Sequence, residues 1–240
     1  MKVAIHQPQY MPWLGYLAKW AAADLFIVLD VVQYEKNGWQ NRNRIKTRDG
    51  VRWLTVPVHA ALGTPISAVT IDSSRAWPAR HLRAIEQAYA RAPGLARHRE
   101  DLRRLYATPW TRLAPLATAS AQWLARALGI ATPLRLASEL LGVAASSSLG
   151  ATTRLVALCR AAGADTYLAG PHGAGYMDLA EFAAAGIAVL AQRYEHPLYA
   201  QLHGEFVPHL SALDFILTAG DQAFAILQKG NGWIPLLDRP

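Results

Sequence analysis

A mainly parallel α/β sheet flanked by helices, with a helical insertion in the middle, is the fold the sequence predicts. Three observations predict it. Residues 3–5 read as a short buried strand, residues 13–23 as a helix, and residues 25–29 as an unbroken apolar strand. Strand, helix and strand in so short a span make a βαβ unit, which closes a parallel sheet. The same alternation returns after residue 150, whereas residues 77–128 show helical spacing alone.

The elements follow in order. The first strand ends at His6 in a loop whose Pro8 and Pro12 forbid continued sheet pairing. In the helix after it, Leu14, Leu17 and Ala21 share one face. The second strand ends at Asp30, and residues 33–46 are polar. Residues 53–58 and 66–71 look like further strands, with Pro57 at a strand end or edge. Breaks at Pro93-Gly94 and Thr108-Pro109 divide residues 77–128 into three helices. Residues 134–136 read as a short strand, and Ser146, Ser147 and Ser148 as a cap for a helix over 151–162 that Gly163 ends. A strand over 166–169, a glycine-rich loop from Gly170 to Gly175, a helix capped by Asp178 and a strand over 187–190 follow. Helices near 211–217 and 221–228 close the chain.

Length and composition agree with one α/β domain over residues 1–240, a helical insertion or subdomain over 77–130, and a C-terminal α/β half over 146–240 that completes the site. At about 150 residues per domain, 240 residues suit one large unit. A hydrophobic fraction of 52% excludes a disordered chain. The net charge of +7 favours anionic partners such as nucleotides, sugar phosphates, an acidic carrier protein or nucleic acid. The single cysteine, Cys159, excludes an internal disulfide and a thiolate zinc cluster, so a reducing cytoplasm is expected. Its apolar neighbours make it core rather than nucleophile. The N-terminus does not read as a signal peptide, and no apolar run reaches the roughly 18 residues of a membrane span.

Ligands of open parallel sheets bind beyond the C-terminal strand ends. Three polar loops follow predicted strands here: after Ile5, after Leu29 and after Ala169. In the first, His6 is an acid/base group titrating near neutrality, and Gln7, Gln9 and Tyr10 offer hydrogen bonds. In the second, Asp30 could bind a hydroxyl, a metal ion or an amine, or cap a turn. Residues 33–46 set Gln33, Tyr34, Lys36, Trp39, Asn41, Arg42, Asn43, Arg44 and Lys46 beside a single acid, Glu35. Basic groups and amides beside aromatics suit an anionic, planar or sugar-like ligand, and equally a solvated loop. In the third loop Gly170, His172 and Tyr176 surround an anion-binding type of turn. It is neither a Walker A loop nor a dinucleotide fingerprint. A last cluster holds His196, Tyr199 and Gln201, with His203, His209 and Asp214 after it. Its spacing is not that of a zinc protease, and no metal is expected. No nucleophile elbow is present, which disfavours a serine hydrolase.

Together these segments resemble the WbqC-like proteins of bacteria. The resemblance rests on residues 6–16, on Asp24 and Asp30, on Gln33-Tyr34, and on residues 39–46 and 53–58. In the second half it rests on residues 167–171, Tyr176, Phe182, Gly186-Ile187, His196-Pro197, Tyr199, Gln201 and residues 211–214. It implies an accessory enzyme of O-antigen or natural-product biosynthesis, one that transfers an acyl or aminoacyl group to an amino sugar or small amine. The opening strand with its histidine is also similar to nucleotidylyltransferases and pantothenate synthetase, which implies a Rossmann-like sheet of the HUP type. The second histidine of their motif is absent, and His6-Gln7-Pro8-Gln9 stands in its place.

On this reading His6, helped by Asp30, is the general base. Gln7, Asn41 and Arg42 stabilise the oxyanion. Lys36, Arg44 and Lys46 hold a phosphate of CoA, phosphopantetheine or tRNA. One alternative is an ATP–Mg²⁺-dependent ligase working through an acyl-adenylate. Another is a non-catalytic module binding a nucleotide sugar or a carrier protein.

Overall fold

The computed structural model describes residues 1–171, 173–175, 177–219 and 223–237. Its centre is β1 (Lys2–His6), which pairs in parallel with β2 (Leu25–Val28) on one side and β8 (Thr166–Ala169) on the other. β7 (Leu134–Leu136) extends the sheet beyond β2, and β9 (Ala188–Tyr194) extends it beyond β8, both in parallel. β10 (Asn231–Leu237) adds an antiparallel edge, for an order of β10-β9-β8-β1-β2-β7. The chain builds outward from β1 in both directions, so the strand order reverses between β1 and β8. That reversal opens a crevice at the C-terminal ends of the two strands.

Both faces of the sheet are buried, as the apolar strands require. Alternate residues serve opposite cores. Val3 and Ile5 of β1, Ile27 of β2 and Tyr167 of β8 join α5 (Ala137–Leu141), α7 (Ala151–Ala161) and α8 (Leu179–Ala184) on one side. Ala4, Phe26, Val28 and Leu168 join α1 (Leu14–Ala21) on the other. That second core continues into α2 (Trp77–Ala88), α3 (Leu95–Ala107), α4 (Leu113–Ala127), α9 (Ala212–Thr218) and α10 (Ala223–Lys229). Three helices thus fill residues 77–127, and their breaks fall at Pro93-Gly94 and Thr108-Pro109. The α6 helix (Val143–Ser147) lies between α5 and α7.

Several elements differ from the sequence expectation. Residues 42–55, expected to be partly polar loop, form an antiparallel hairpin of β3 (Arg42–Thr47) and β4 (Gly50–Thr55). Its inner face buries Asn43, Ile45 and Leu54, while Arg42, Arg44 and Trp53 stand on the outer face. The strand expected over 53–58 splits, because Pro57 has no N–H for the ladder. β5 (Val58–His59) instead pairs with β6 (Thr70–Ile71). Residues 66–68 of the other expected strand make a 3₁₀ turn after Pro65. Ser146 and Ser147 belong to α6, and the residue before α7 is Gly150, with no side-chain cap. Asp178 does cap α8, accepting from the Ala180 N–H at 2.9 Å. β10 lies beyond the last element expected from the sequence; its edge position and a register shift near Pro235 accommodate the proline.

Candidate functional site at the strand-order reversal

The crevice between β1 and β8 has a volume of about 280 Å³ and is lined by Ile5, His6, Gln7, Lys19, Arg154 and Gly170, among others. Ala151, the first residue of α7, also borders it. His6 ends β1, and its ring meets Tyr16 edge-on at 4.8 Å. Its Nδ1 lies 3.1 Å from the Gln7 carbonyl oxygen. A carbonyl only accepts, so we assign the proton to Nδ1, which leaves Nε2 with the lone pair. Burial, with the nearby Lys19 charge, lowers the His6 pKa to about 3. The imidazole is therefore neutral at physiological pH.

Lys19 reaches the crevice from α1. It is 1% exposed, and its Nζ donates to the Ile5 carbonyl oxygen at 2.9 Å. Burial alone lowers its pKa to about 7. Arg154 uses Nε on the Ser146 carbonyl oxygen and Nη2 on that of Leu149.

A larger groove of about 1010 Å³ lies beside the crevice. Val32 borders the crevice and the next residue, Gln33, borders the groove. Tyr34, Lys36, Asn41, Arg42 and Arg75 line it further, with Glu35 and Asp72 as its acids. Gln40 ties the two spaces together. Its Nε2 donates to Gln7 Oε1 at 2.6 Å, and its Oε1 accepts from the Glu35 N–H. The Gln7 carboxamide is thereby oriented, with its Nε2 left to donate. The Arg42 guanidinium lies 4.4 Å above the Trp53 ring, and Trp39 packs on Trp53 at 5.4 Å. Both tryptophans are 42% exposed. Arg44 adds cation–π contacts to Trp39 and Trp53.

Other residues singled out from the sequence are engaged within the chain's own framework. Both Asp30 oxygens accept from Ser138, one from its N–H at 3.0 Å and one from its hydroxyl at 2.6 Å. The carboxylate thus anchors the start of α5 rather than lining the crevice. Tyr10 is fully buried and shares hydrogen bonds with His81 and Tyr106. Asn43 donates to the Met11 carbonyl and Asn41 to that of Val56. Gln9 is buried, with its Oε1 unpartnered. Lys46 donates to Gln201 and to the carbonyls of Gly204 and Glu205. Gln201 donates to Tyr199, which donates to Asp214. His196 stacks on Trp13 and faces His209 at 4.9 Å, its ring nitrogens buried without partners. His172 and Tyr176 lie outside the described residues.

The WbqC-like protein family model matches residues 7–226. The chain belongs to the WbqC-like family. It is 37% identical over 226 residues to the protein named "Uncharacterized protein Rv1507c" of Mycobacterium tuberculosis, covering 92% of this chain and 95% of that one. No solved structure matches.

In this WbqC-like chain, Lys19 and Arg154 are crevice residues that sequence reasoning missed. The only signal for Lys19 was a lone cation inside the apolar helix LGYLAKWA. Among the described residues, no group of three His, Cys, Asp or Glu side chains could hold a metal ion. Among the described residues, no helix is long and apolar enough to cross a membrane. Burial raises the Cys159 pKa to about 12, so its thiol stays protonated.

Buried neutral histidines set the acid limit of stability. Burial lowers His6 to about 3 and His81 to about 4, against 6.5 in the unfolded chain. Below pH 6.5 the unfolded chain takes up protons that these folded rings refuse. Stability therefore falls as pH drops from 6.5 toward 4. We expect a loss of roughly 2–3 kcal/mol from His6 alone between pH 6.5 and 4.5, at 1.36 kcal/mol per pH unit. Urea unfolding at the two pH values measures it.

Proposed function

We propose that this protein is a transferase that joins an acyl or aminoacyl group to an amine, forming an amide. The acceptor is an amino sugar or small amine of O-antigen or natural-product biosynthesis. The observation that carries the reading is a neutral imidazole with its tautomer fixed, in a small crevice beside a large basic groove. The groove is of a size to take a phosphate-bearing handle such as CoA or phosphopantetheine. Lys36, Arg42 and Arg75 supply cations for it. The crevice takes the reacting end. The HUP type of sheet is part of this proposal.

In the reaction the amine nitrogen attacks the acyl carbonyl carbon as His6 Nε2 takes the amine proton. Gln7 Nε2 donates to the developing oxyanion. The carbon–sulfur or carbon–oxygen bond then breaks, and His6 returns the proton to the leaving thiol or hydroxyl.

A thermal-shift panel of CoA thioesters, ATP–Mg²⁺, nucleotide amino sugars and tRNA tests the reading. A ligand at 100 times its dissociation constant stabilises by about 2.7 kcal/mol. At roughly 2–4 °C per kcal/mol for a chain of this size, that is a shift of about 5–10 °C. We expect the shift with a CoA thioester or an aminoacyl carrier. His6→Asn should keep the shift and lose turnover by roughly 100-fold or more. A shift with ATP–Mg²⁺ that alone supports product would replace the transferase with an adenylate-forming ligase. Binding without turnover in the wild type would favour a binding module.

A further inference from the structure

The crevice carries cations that the chain does not neutralise. Lys19 is buried with three N–H donors, and its hydrogen bond goes to a backbone carbonyl, not to a carboxylate. Arg154 commits two of its five donors, both to carbonyls. The crevice lining includes no Asp or Glu among the described residues. The nearest strand-end acid, Asp30, is occupied by Ser138. α7 begins at this crevice with no side-chain cap, so its first-turn N–H groups add a partial positive charge. Buried charges in proteins are paired, and a cation left without an anion is costly. Here the missing anion fits a ligand.

We propose that the crevice binds an oxyanion, the carboxylate or phosphate of the small substrate, through Lys19 Nζ, the Arg154 guanidinium and the N-terminus of α7. The site rests on the reading that the crevice takes the small substrate, and it narrows that substrate to one bearing a carboxylate or phosphate. The volume of about 280 Å³ admits such a small molecule and not a whole nucleotide handle.

His6 from β1, Tyr167 from β8 and Arg154 from α7 line the crevice with Lys19, and Tyr16 of α1 packs edge-on against His6. Behind α1, Gln192 of β9 and Asn231 of β10 meet its backbone as uncharged amides, and α10 carries Lys229 in its last turn. Burial keeps the Lys19 amine near its midpoint at neutral pH. An arriving oxyanion favours the ammonium, so binding takes up a proton. Burial is the larger cause of the low His6 pKa and the nearby Lys19 charge the smaller, and an arriving oxyanion offsets only the smaller.

Calorimetric titration of the full chain with inorganic phosphate and with acetate, at pH 6.5 and pH 8.5, tests this. We expect at least one probe to bind, more tightly at pH 6.5, with proton uptake visible as a buffer-dependent heat. Whichever probe binds identifies the oxyanion. Lys19→Met and Arg154→Gln should each weaken binding by roughly tenfold or more. Arg91→Gln, in a separate cavity with Arg48 and Arg52, should leave it unchanged. Lys19→Arg, which keeps the charge, should retain binding and lose the pH dependence. Binding of neither probe overturns the proposal, as does equal loss in Arg91→Gln or full retention in Lys19→Met. Phosphate or acetate binding that survives in a protein inactive with every donor and acceptor would sink the transferase and leave the oxyanion site standing.

Discussion

Lys19→Met will make the chain more stable, not less, at pH 6. Folding holds the Lys19 pKa near 7, against 10.5 for a free lysine. Below pH 7 the folded chain therefore carries a buried ammonium at a cost on the order of 5 kcal/mol. Between pH 7 and 10.5 the unfolded chain still binds the proton while the folded chain does not, so the cost declines as pH rises. Methionine fills a similar volume without charge. It forfeits the hydrogen bond to the Ile5 carbonyl, worth about 1–3 kcal/mol if that oxygen is left unsatisfied. The net expected gain is about 2–4 kcal/mol at pH 6 and less at pH 9, read by urea unfolding. Destabilisation at pH 6 would mean that Lys19 is held by an interaction the structure does not contain. A gain in stability with a loss of oxyanion binding is the signature of a residue kept for function.

The opposite outcome is expected for Asp214→Ala. Asp214 is fully buried on α9 and accepts from the Tyr89 hydroxyl at 2.8 Å and the Tyr199 hydroxyl at 2.9 Å. Tyr199 accepts from Gln201, whose Oε1 accepts from Lys46 Nζ. Burial raises the Asp214 pKa, and the two hydroxyls partly offset it. Removing the carboxylate strands two buried hydroxyls and takes a negative charge from beside the Lys46 ammonium. We expect a loss of about 3–5 kcal/mol. Asp214→Asn, which keeps an acceptor, should lose less. The same network fastens residues 199–207 over β3, so Asp214→Ala should also expose that segment to protease. A stability within about 1 kcal/mol of wild type, the spread of a surface change, would contradict this account.

The sheet was legible because its strands are buried on both faces. Residues 25–29 are apolar without interruption and residues 167–169 nearly so, and a strand inside such a sheet has no polar side to obscure it. His6, Gln7 and Gly170 were legible for a related reason. They follow strand ends, where an open parallel sheet presents its loops, and the structure sets all three on one crevice. The hairpin of β3 and β4 was hidden because its buried face carries Asn43 beside Ile45, and the outer face alternates arginines with Trp53. Periodicity there is a matter of tertiary contact, not hydropathy.

Side-chain chemistry near the site was harder to sort. Tyr10, Asn43, Lys46, Tyr199 and Gln201 are types that bind ligands, and also types that satisfy buried backbone groups. Only their partners separate the two uses, and those partners lie far away in the chain, as in the bond from Lys46 to Gln201. Lys19 shows the converse. An apolar helix conceals its one cation until the strand beside it is known to end at His6.

The claim that the crevice and the basic groove work as one site is tested most directly by hydrogen exchange of the full chain with and without acetyl-CoA. The account predicts slowed exchange in two places at once, in residues 34–42 along the groove and in residues 6–7 and 151–154 around the crevice. His6→Asn should leave that footprint in place. Protection confined to the groove, or centred on the exposed face of Trp39 and Trp53 with no change at residues 6–7, would contradict it.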